Sequence, residues 1–314
     1  MDDFYQAFEN KFRGDRQVIK DRLRVYLPLV ESLEKLYPDG SAIDLGCGRG
    51  EWLELLSENS SLAISGVDVS EAMLAIARQY ALPVELRDAL ACLAMLPDKS
   101  QSMVSGFHIA EHLPFTDLMV LVGEAYRVLQ PGGLLILETP NPENIIVGTV
   151  GFYMDPTHHQ PLPPDLLSFM ATYAGFYRSK IMRLQEPYDL NRHGEVTLLN
   201  VLDGVSPDYA VIAQKSAQPP LLAGFDSIFE NDYGLTLSDL ANKHALQQAS
   251  WRAKVEGDYR KLEEGRIELE ARLQKIEIET AAALAREADL LSSKSWRYTR
   301  FLRVFVNFFR RGER

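Results

Sequence analysis

The spacing of apolar residues changes along the chain and divides it into textures. Over 1–40, Ile19, Leu23, Tyr26, Leu27, Val30, Leu33 and Leu36 recur at three- and four-residue steps. That spacing lines one face of a helix and predicts an N-terminal helical segment. Over 41–216, short β-branched runs alternate with helical stretches, which predicts an α/β domain with a mostly parallel sheet. Strands are expected near Ala42–Leu45, Ala63–Asp68, Val84–Arg87, Gln101–Phe107, Gly133–Glu138, Lys180–Gln185 and Tyr209–Gln214. Segment 217–235 holds Pro219, Pro220 and Gly224 and reads as a linker. Residues 236–293 contain no proline and are rich in Ala, Glu, Leu, Arg and Lys, so a long helix is expected there.

Within that helix one line of apolar residues repeats every seven positions: Val255, Leu262, Leu269, Ile276, Ala283 and Leu290. The line beside it is mixed, through Tyr259, Arg266, Leu273, Thr280 and Glu287. One clean seam and one mixed seam predict a coiled coil that makes a homo-oligomer. The competing expectation is an amphipathic helix folded back on the domain. From Val255 to Leu290 the helix would span on the order of 50 Å.

The last stretch, 294–314, is a basic amphipathic helix. Wound at about 100° per residue, it gathers Tyr298, Phe301, Leu302, Val304, Phe305, Val306, Phe308 and Phe309 on one face. Arg300, Arg303, Arg310 and Arg311 take the other. This segment carries seven Lys or Arg and one Glu, a net of +6. The whole chain carries −11, so the remainder carries −17. A basic aromatic helix on an acidic protein predicts docking on a membrane surface or on a membrane-associated partner.

The acidic balance argues against nucleic acid as partner, because phosphate recognition needs a basic face. The composition, 46% hydrophobic and 25% charged, is that of an ordinary globular protein. The two cysteines, Cys47 and Cys92, have no ligand or redox spacing and read as reduced thiols. No apolar run approaches the roughly 20 residues that span a bilayer, and the first residues lack a signal-peptide core. A cytoplasmic protein, peripheral on the inner face of the cytoplasmic membrane, is the expectation.

The clearest chemical motif runs from Ala42 to Trp52, AIDLGCGRGEW. An apolar strand leads into a loop in which Gly46, Gly48 and Gly50 permit a tight turn and close approach to a ligand. A helix then opens and presents free N–H groups. Asp44, at the strand end, can meet a ligand amino group. Asp68 ends the next apolar strand, where a carboxylate accepts from both ribose hydroxyls. Asp88 follows the third strand, where an adenine amino group would lie. Cys47, Trp52, Val69, Ala89 and Phe107 adjoin these positions and complete the expected cofactor site.

DLGCGRGEW, GVDVS, the Asp88 turn and LQPGGLLILETP, in that order and spacing, resemble class I S-adenosylmethionine-dependent methyltransferases. The resemblance covers roughly 40–216. It implies a Rossmann-like seven-stranded sheet whose last strand is antiparallel, with S-adenosyl-L-methionine as cofactor. It implies Asp44 and the glycines at the methionine end, Asp68 at the ribose and Asp88 at the adenine.

Candidate bases should lie on loops beyond the strand ends. His108, Glu111 and His112 follow the fourth strand. Asp155 and His158 lie in FYMDPTHHQ, a proline-bounded loop beyond the fifth strand, where Asp155 can orient the His158 ring. A divalent metal held by Glu111, His112, Asp155 or His158 is the weaker alternative, because no fixed ligand spacing supports it, and no metal site is assigned. The position after the fourth strand reads Gly-Phe-His-Ile and not the Asn/Asp-Pro-Pro-aromatic run of amino-methylating nucleic-acid enzymes.

The first residues, FYQAFENKFRG, with ETPNPENIIVG and FYMDPTHHQPLPP, are similar to methyltransferases of bacterial O-antigen and polysaccharide assembly. SKSWRYTRFLR resembles tails of bacterial glycan-assembly enzymes. The resemblance implies O-methylation of a carbohydrate hydroxyl, on the terminal sugar of a lipid-linked glycan, with a membrane-associated glycan polymerase as a further partner. It implies that the N-terminal segment covers the active site. Small-molecule, quinone-like O-methylation and a cofactor-binding scaffold that recruits a polymerase are the alternatives.

Overall fold

The computed structural model describes residues 14–187, 189–190 and 194–310, without the side chains of 306–310. The aromatic motif within 4–13 and the last residues, 311–314, lie outside the described residues. So do the side chains of Val306, Phe308 and Phe309, part of the apolar arc expected at the C-terminus.

Two helices, α1 (Arg16–Leu23) and α2 (Leu27–Leu36), precede the sheet. The strands are β1 (Ser41–Leu45), β2 (Ala63–Asp68), β3 (Val84–Leu86), β4 (Gln101–Phe107), β5 (Leu129–Pro140), β6 (Arg178–Leu184) and β7 (Asp208–Gln214). They form one sheet in the order β3-β2-β1-β4-β5-β7-β6. β1 to β5 are parallel, and β7 runs antiparallel to both β5 and β6, as the resemblance implied. This is the Rossmann-like methyltransferase sheet. β5 starts at Leu129 and not at Gly133, because an irregular register against Gln101 and Met103 takes up Pro131 and Gly132. The chain order reverses between β1 and β4, so a crevice opens at their C-terminal ends, where open α/β sheets bind ligands.

The sheet is covered on both faces, which explains why β4 and β5 read as continuous apolar runs. Leu135 and Leu137 pack with Leu118, Leu121 and Val122 of the helix Phe115–Val128. Their neighbours Leu134 and Ile136 pack with Tyr26, Leu29, Leu33 and Trp52 on the opposite side. The N-terminal helices are therefore part of the core. Lys20 and Arg16 fasten α1 to the helix Glu51–Asn59, with Lys20 Nζ 2.8 Å from Glu54 and 2.7 Å from Glu58.

The segment expected to be a linker, 217–235, is folded. It forms short helices at Pro219–Leu222 and Asp226–Glu230 and buries Leu222, Phe225 and Ile228. Arg178 of β6 donates to Asp226 at 2.7 Å and to the Leu222 carbonyl at 2.9 Å. Pro219 and Pro220 start the first of these helices, where a missing N–H costs nothing, and do not mark a flexible tether.

The long helix runs Leu237–Ser292, and the chain divides into two compact units, 1–247 and 248–314. The first turns of this helix belong to the first unit. Leu240 is 1% exposed against Val196 and Val205, and Gln247 Oε1 accepts from the Val196 N–H at 2.9 Å. A chain cut after Gln247 should therefore melt like the full protein. A cut after Leu235 removes Leu240, worth about 1.5–3 kcal/mol of burial, and should lower Tm by roughly 3–12 °C. Calorimetry of the two truncations checks this, and equal melting would show that Leu240 contributes nothing.

In the second unit the predicted seam presents Leu262, Leu269, Ile276 and Leu290 to solvent, Leu262 at 74% exposure. Two helices follow, Lys294–Tyr298 and Arg300–Arg310. Arg303 stacks on Trp296 with its guanidinium carbon 3.4 Å from the ring centre. No helix among the described residues is long and apolar enough to cross a membrane.

Candidate active site

The loop after β1 makes the turn that its glycines predict. Gly46, Gly48 and Gly50 all have positive φ, at 67°, 55° and 79°. A Cβ on Gly50 would also lie 2.5 Å from Leu82. Asp68 ties this loop to β2. One carboxylate oxygen accepts from the Gly48 N–H at 2.8 Å, the other from the Ser70 N–H at 2.7 Å. Asp44 is buried at the end of β1 and accepts from the Ser105 hydroxyl at 2.7 Å. Asp88 caps the helix Ala89–Met95 through the Ala91 N–H at 2.9 Å. Three acids thus stand at the C-terminal ends of β1, β2 and β3.

The crevice itself is lined by Asp44, Gly46, Cys47 and Trp52, with Phe107, His108 and Glu138. Ile19, Arg22 and Leu23 of α1 close one side. Trp52, Phe107 and Tyr26 pack ring against ring, Phe107 being 5.4 Å from each of the others. Ala89 is buried, whereas Val69 is exposed. These residues suit S-adenosyl-L-methionine: glycines that admit a ligand to the backbone, a buried acid for an amino group, and a strand-end carboxylate for a diol.

His108 stands over this crevice. It has φ +56°, a left-handed backbone that costs a non-glycine residue about 1–2 kcal/mol. Its N–H donates to the Glu138 carbonyl at 2.9 Å, which helps to hold that conformation. Gln185, also on the crevice wall, has φ +66°. The His108 ring lies between two carboxylates, with Nδ1 3.1 Å from Glu111 and Nε2 3.6 Å from Glu138. Thr139 donates to the other Glu111 oxygen at 2.8 Å, and Tyr26 donates to Glu138. Burial disfavours the charged ring, but the bonds to Glu111 and Glu138 outweigh it and hold its pKa well above the ordinary imidazole range. The side chain remains 43% exposed, so solvent tempers the effect. Burial pushes the neighbouring Asp208 up to about 6, which His108 opposes and Glu138 reinforces.

The other predicted bases lie elsewhere. Asp155, His158, Glu111 and His112 are not among the residues lining the crevice, and neither are Gly48, Gly50, Asp68 and Asp88 of the expected cofactor site. His158 is tucked against Phe152, its ring 4.5 Å away, and its Nε2 stands 3.9 Å from Asp155. His112 meets Thr157 and the edge of His158. Five candidates that appear in two separate sequence stretches thus form one continuous polar seam, with only His108 on the crevice wall.

Sequence reasoning passed over Glu138, Asp208, Tyr26, Arg22 and Gln185. Glu138 does carry a signal, because an acid that closes the apolar run GLLIL on a central strand must be buried with a partner. Asp208 carries none locally, since it reaches the site through the antiparallel pairing of β7 with β5, opposite Pro140.

Comparison with known proteins accords with this fold. Residues 42–133 match the methyltransferase domain family. The crystal structure of an S-adenosylmethionine-dependent methyltransferase from Archaeoglobus fulgidus is 33% identical, with a TM-score of 0.60 over 68% of this chain and 100% of that one. A probable S-adenosylmethionine-dependent methyltransferase of Mycolicibacterium smegmatis is 28% identical over 198 residues, 62% of this chain and 73% of that protein. A ubiquinone biosynthesis O-methyltransferase of Pseudomonas entomophila is 29% identical over 116 residues, 35% of this chain and 49% of that protein. Of several other relatives, too, the chain spans about half the length. The fold and the crevice define a class I, Rossmann-like methyltransferase. The chain belongs to the S-adenosylmethionine-dependent methyltransferases, enzymes of class EC 2.1.1.

Proposed function

We propose that this enzyme methylates a hydroxyl oxygen, with His108 as the base. The observation that carries the reading is His108 itself: a strained residue on the wall of the cofactor crevice, its ring held by two carboxylates. The bound cofactor supplies an electrophilic methyl group on a sulfonium. Asp44, Asp68, Asp88 and the glycine loop hold that cofactor. His108 takes the proton from the acceptor hydroxyl. Glu111 and Glu138 orient the ring and raise its proton affinity. Only the neutral ring can take the proton, so turnover should rise with pH through the raised pKa. Phe107 and Trp52 keep water from the reacting carbon.

The acceptor proposed is the terminal sugar of a lipid-linked glycan in bacterial O-antigen or polysaccharide assembly. Its support is the similarity of ETPNPENIIVG and FYMDPTHHQPLPP to methyltransferases of that kind, and of SKSWRYTRFLR to tails of bacterial glycan-assembly enzymes. A small quinol is the second reading, favoured by the likeness to the ubiquinone enzyme. Transfer of labelled methyl to a panel of lipid-linked glycans and quinols tests the choice. Methylation of quinols alone would overturn the glycan reading, and binding of cofactor without transfer to any acceptor would favour a scaffold.

The exposed seam of the long helix supports self-association as a coiled coil. The tail supports attachment to the inner face of the cytoplasmic membrane or to a glycan polymerase there. Tyr298, Phe301 and Phe305 are exposed beside Arg300 and Arg303, and the segment carries +6. Each Arg near an anionic surface adds roughly 1 kcal/mol, which salt weakens. Anionic liposomes should float the wild type in low salt, and Phe301→Glu with Phe305→Glu should abolish flotation. Wild-type protein that never floats would leave only the partner.

A further inference from the structure

The seam behind His108 holds a second site. A carboxylate oxygen of Glu111 and one ring nitrogen each from His112 and His158 lie within 4.8 Å of one another. Glu111 is 1% exposed, and the side chains of His158 and Asp155 only 11% and 9%. Hydrogen bonding decides which lone pairs these rings keep. The Thr157 hydroxyl donates to Asp155 at 2.6 Å, so its proton is spent. Its 2.9 Å contact with His112 Nδ1 therefore needs an Nδ1–H donor. His158 Nδ1 is 2.7 Å from the Phe152 carbonyl, which can only accept. Both rings are thereby set with the lone pair on Nε2. Among the described residues, the ion pairs of Glu111 and Asp155 are with histidines and none is with Lys or Arg. Two imidazoles and the Glu111 carboxylate thus share one cluster, with Asp155 3.9 Å from His158 and His108 as the charged neighbour of Glu111.

We propose that Glu111, His112 and His158 bind a divalent transition-metal ion of the Zn²⁺ type, with Asp155 beside the fourth position. Two imidazoles and a carboxylate suit Zn²⁺ and its neighbours, whereas Mg²⁺ and Ca²⁺ prefer oxygen alone. The Nδ1–H bonds to Thr157 and Phe152 are the outer contacts that orient histidine ligands. The sequence shows no ligand spacing, because the donors come from the loop after β4 and the segment after β5, which meet only in the fold. The His159 N–H on the Glu111 carbonyl, at 2.8 Å, already joins these segments, and the ion would fasten them further. The inference does not depend on which acceptor is methylated.

The test is calorimetric titration of the chelator-treated full chain with ZnCl₂, with visible absorption of the CoCl₂-loaded protein. One equivalent should bind. His112→Ala with His158→Ala should abolish binding and the Co²⁺ band, while affinity for S-adenosyl-L-methionine and circular dichroism stay unchanged. Thr157→Val should weaken binding about 10–100-fold, the loss typical of an outer partner. His159→Ala should leave it intact. Absence of stoichiometric Zn²⁺, or binding that survives the double variant, overturns the proposal. So does loss of the ion in His108→Ala with retention in the double variant, which would assign it to the neighbouring His108, Glu138 and Asp208 cluster. If the double variant fails to fold, Thr157→Val and the wild-type Co²⁺ spectrum decide.

Discussion

Replacing His108 with alanine should lower kcat by about 10²–10⁴-fold, the usual cost of losing a general base. Affinity for S-adenosyl-L-methionine should change little, because Asp44, Asp68, Asp88 and the glycine loop are untouched. Added imidazole should restore part of the rate, which a purely structural defect would not allow. His158→Ala is the informative contrast. Its ring is turned to Phe152 and Asp155 and does not line the crevice. It should therefore leave kcat within about tenfold, a barrier change under about 1.4 kcal/mol. Turnover is measured with an acceptor found in the panel, alongside cofactor titration of each variant. If His158→Ala silences the enzyme and His108→Ala does not, the base is on the segment after β5.

Asp68→Ala should weaken cofactor binding by about 1–3 kcal/mol, roughly 5- to 150-fold in Kd. Two causes act together. The ribose hydroxyls lose their acceptor, and the Gly48 and Ser70 N–H groups that Asp68 now holds at 2.8 and 2.7 Å lose theirs. The demethylated cofactor has the same ribose, so its affinity should fall by the same factor. Asp68→Asn, which keeps one acceptor oxygen, should fall between. Calorimetry with both cofactor forms checks this. An unchanged Kd would remove Asp68 from the ribose, and a loss confined to the methylated form would place it near the sulfonium instead.

Much of this protein is legible along the chain because its determinants are local. Strand and helix periods depend on which face a residue buries, so β1, β2, β4 and β7 fall within about a residue of where alternation and apolar runs place them. The glycine loop is local too, since positive φ at three nearby positions needs glycine whatever surrounds it. The strand-end positions of Asp44, Asp68 and Asp88 follow from the same logic, because each ends or follows a strand whose direction is set. Segment 217–235 shows where local reading stops. Proline and glycine suggested a tether, but the burial of Leu222, Phe225 and Ile228 depends on helix α2 and β6 arriving from elsewhere.

What the sequence by itself determined is the class of enzyme: a parallel-sheet methyltransferase head, its cofactor motifs and a long helix behind it. Only the tertiary structure decided which histidine lines the crevice at the strand ends. His108, His112 and His158 are equal on paper, since each is a polar residue on a loop beyond a strand. Their roles separate through contacts between segments far apart in the chain. Glu138 pairs with Tyr26 across 112 residues, and Glu111 with Thr139 across 28. Asp208 enters beside Pro140 through an antiparallel strand. Histidines and carboxylates with the same local sequence can differ in chemistry, because what distinguishes them is the set of groups that burial brings within a few ångströms.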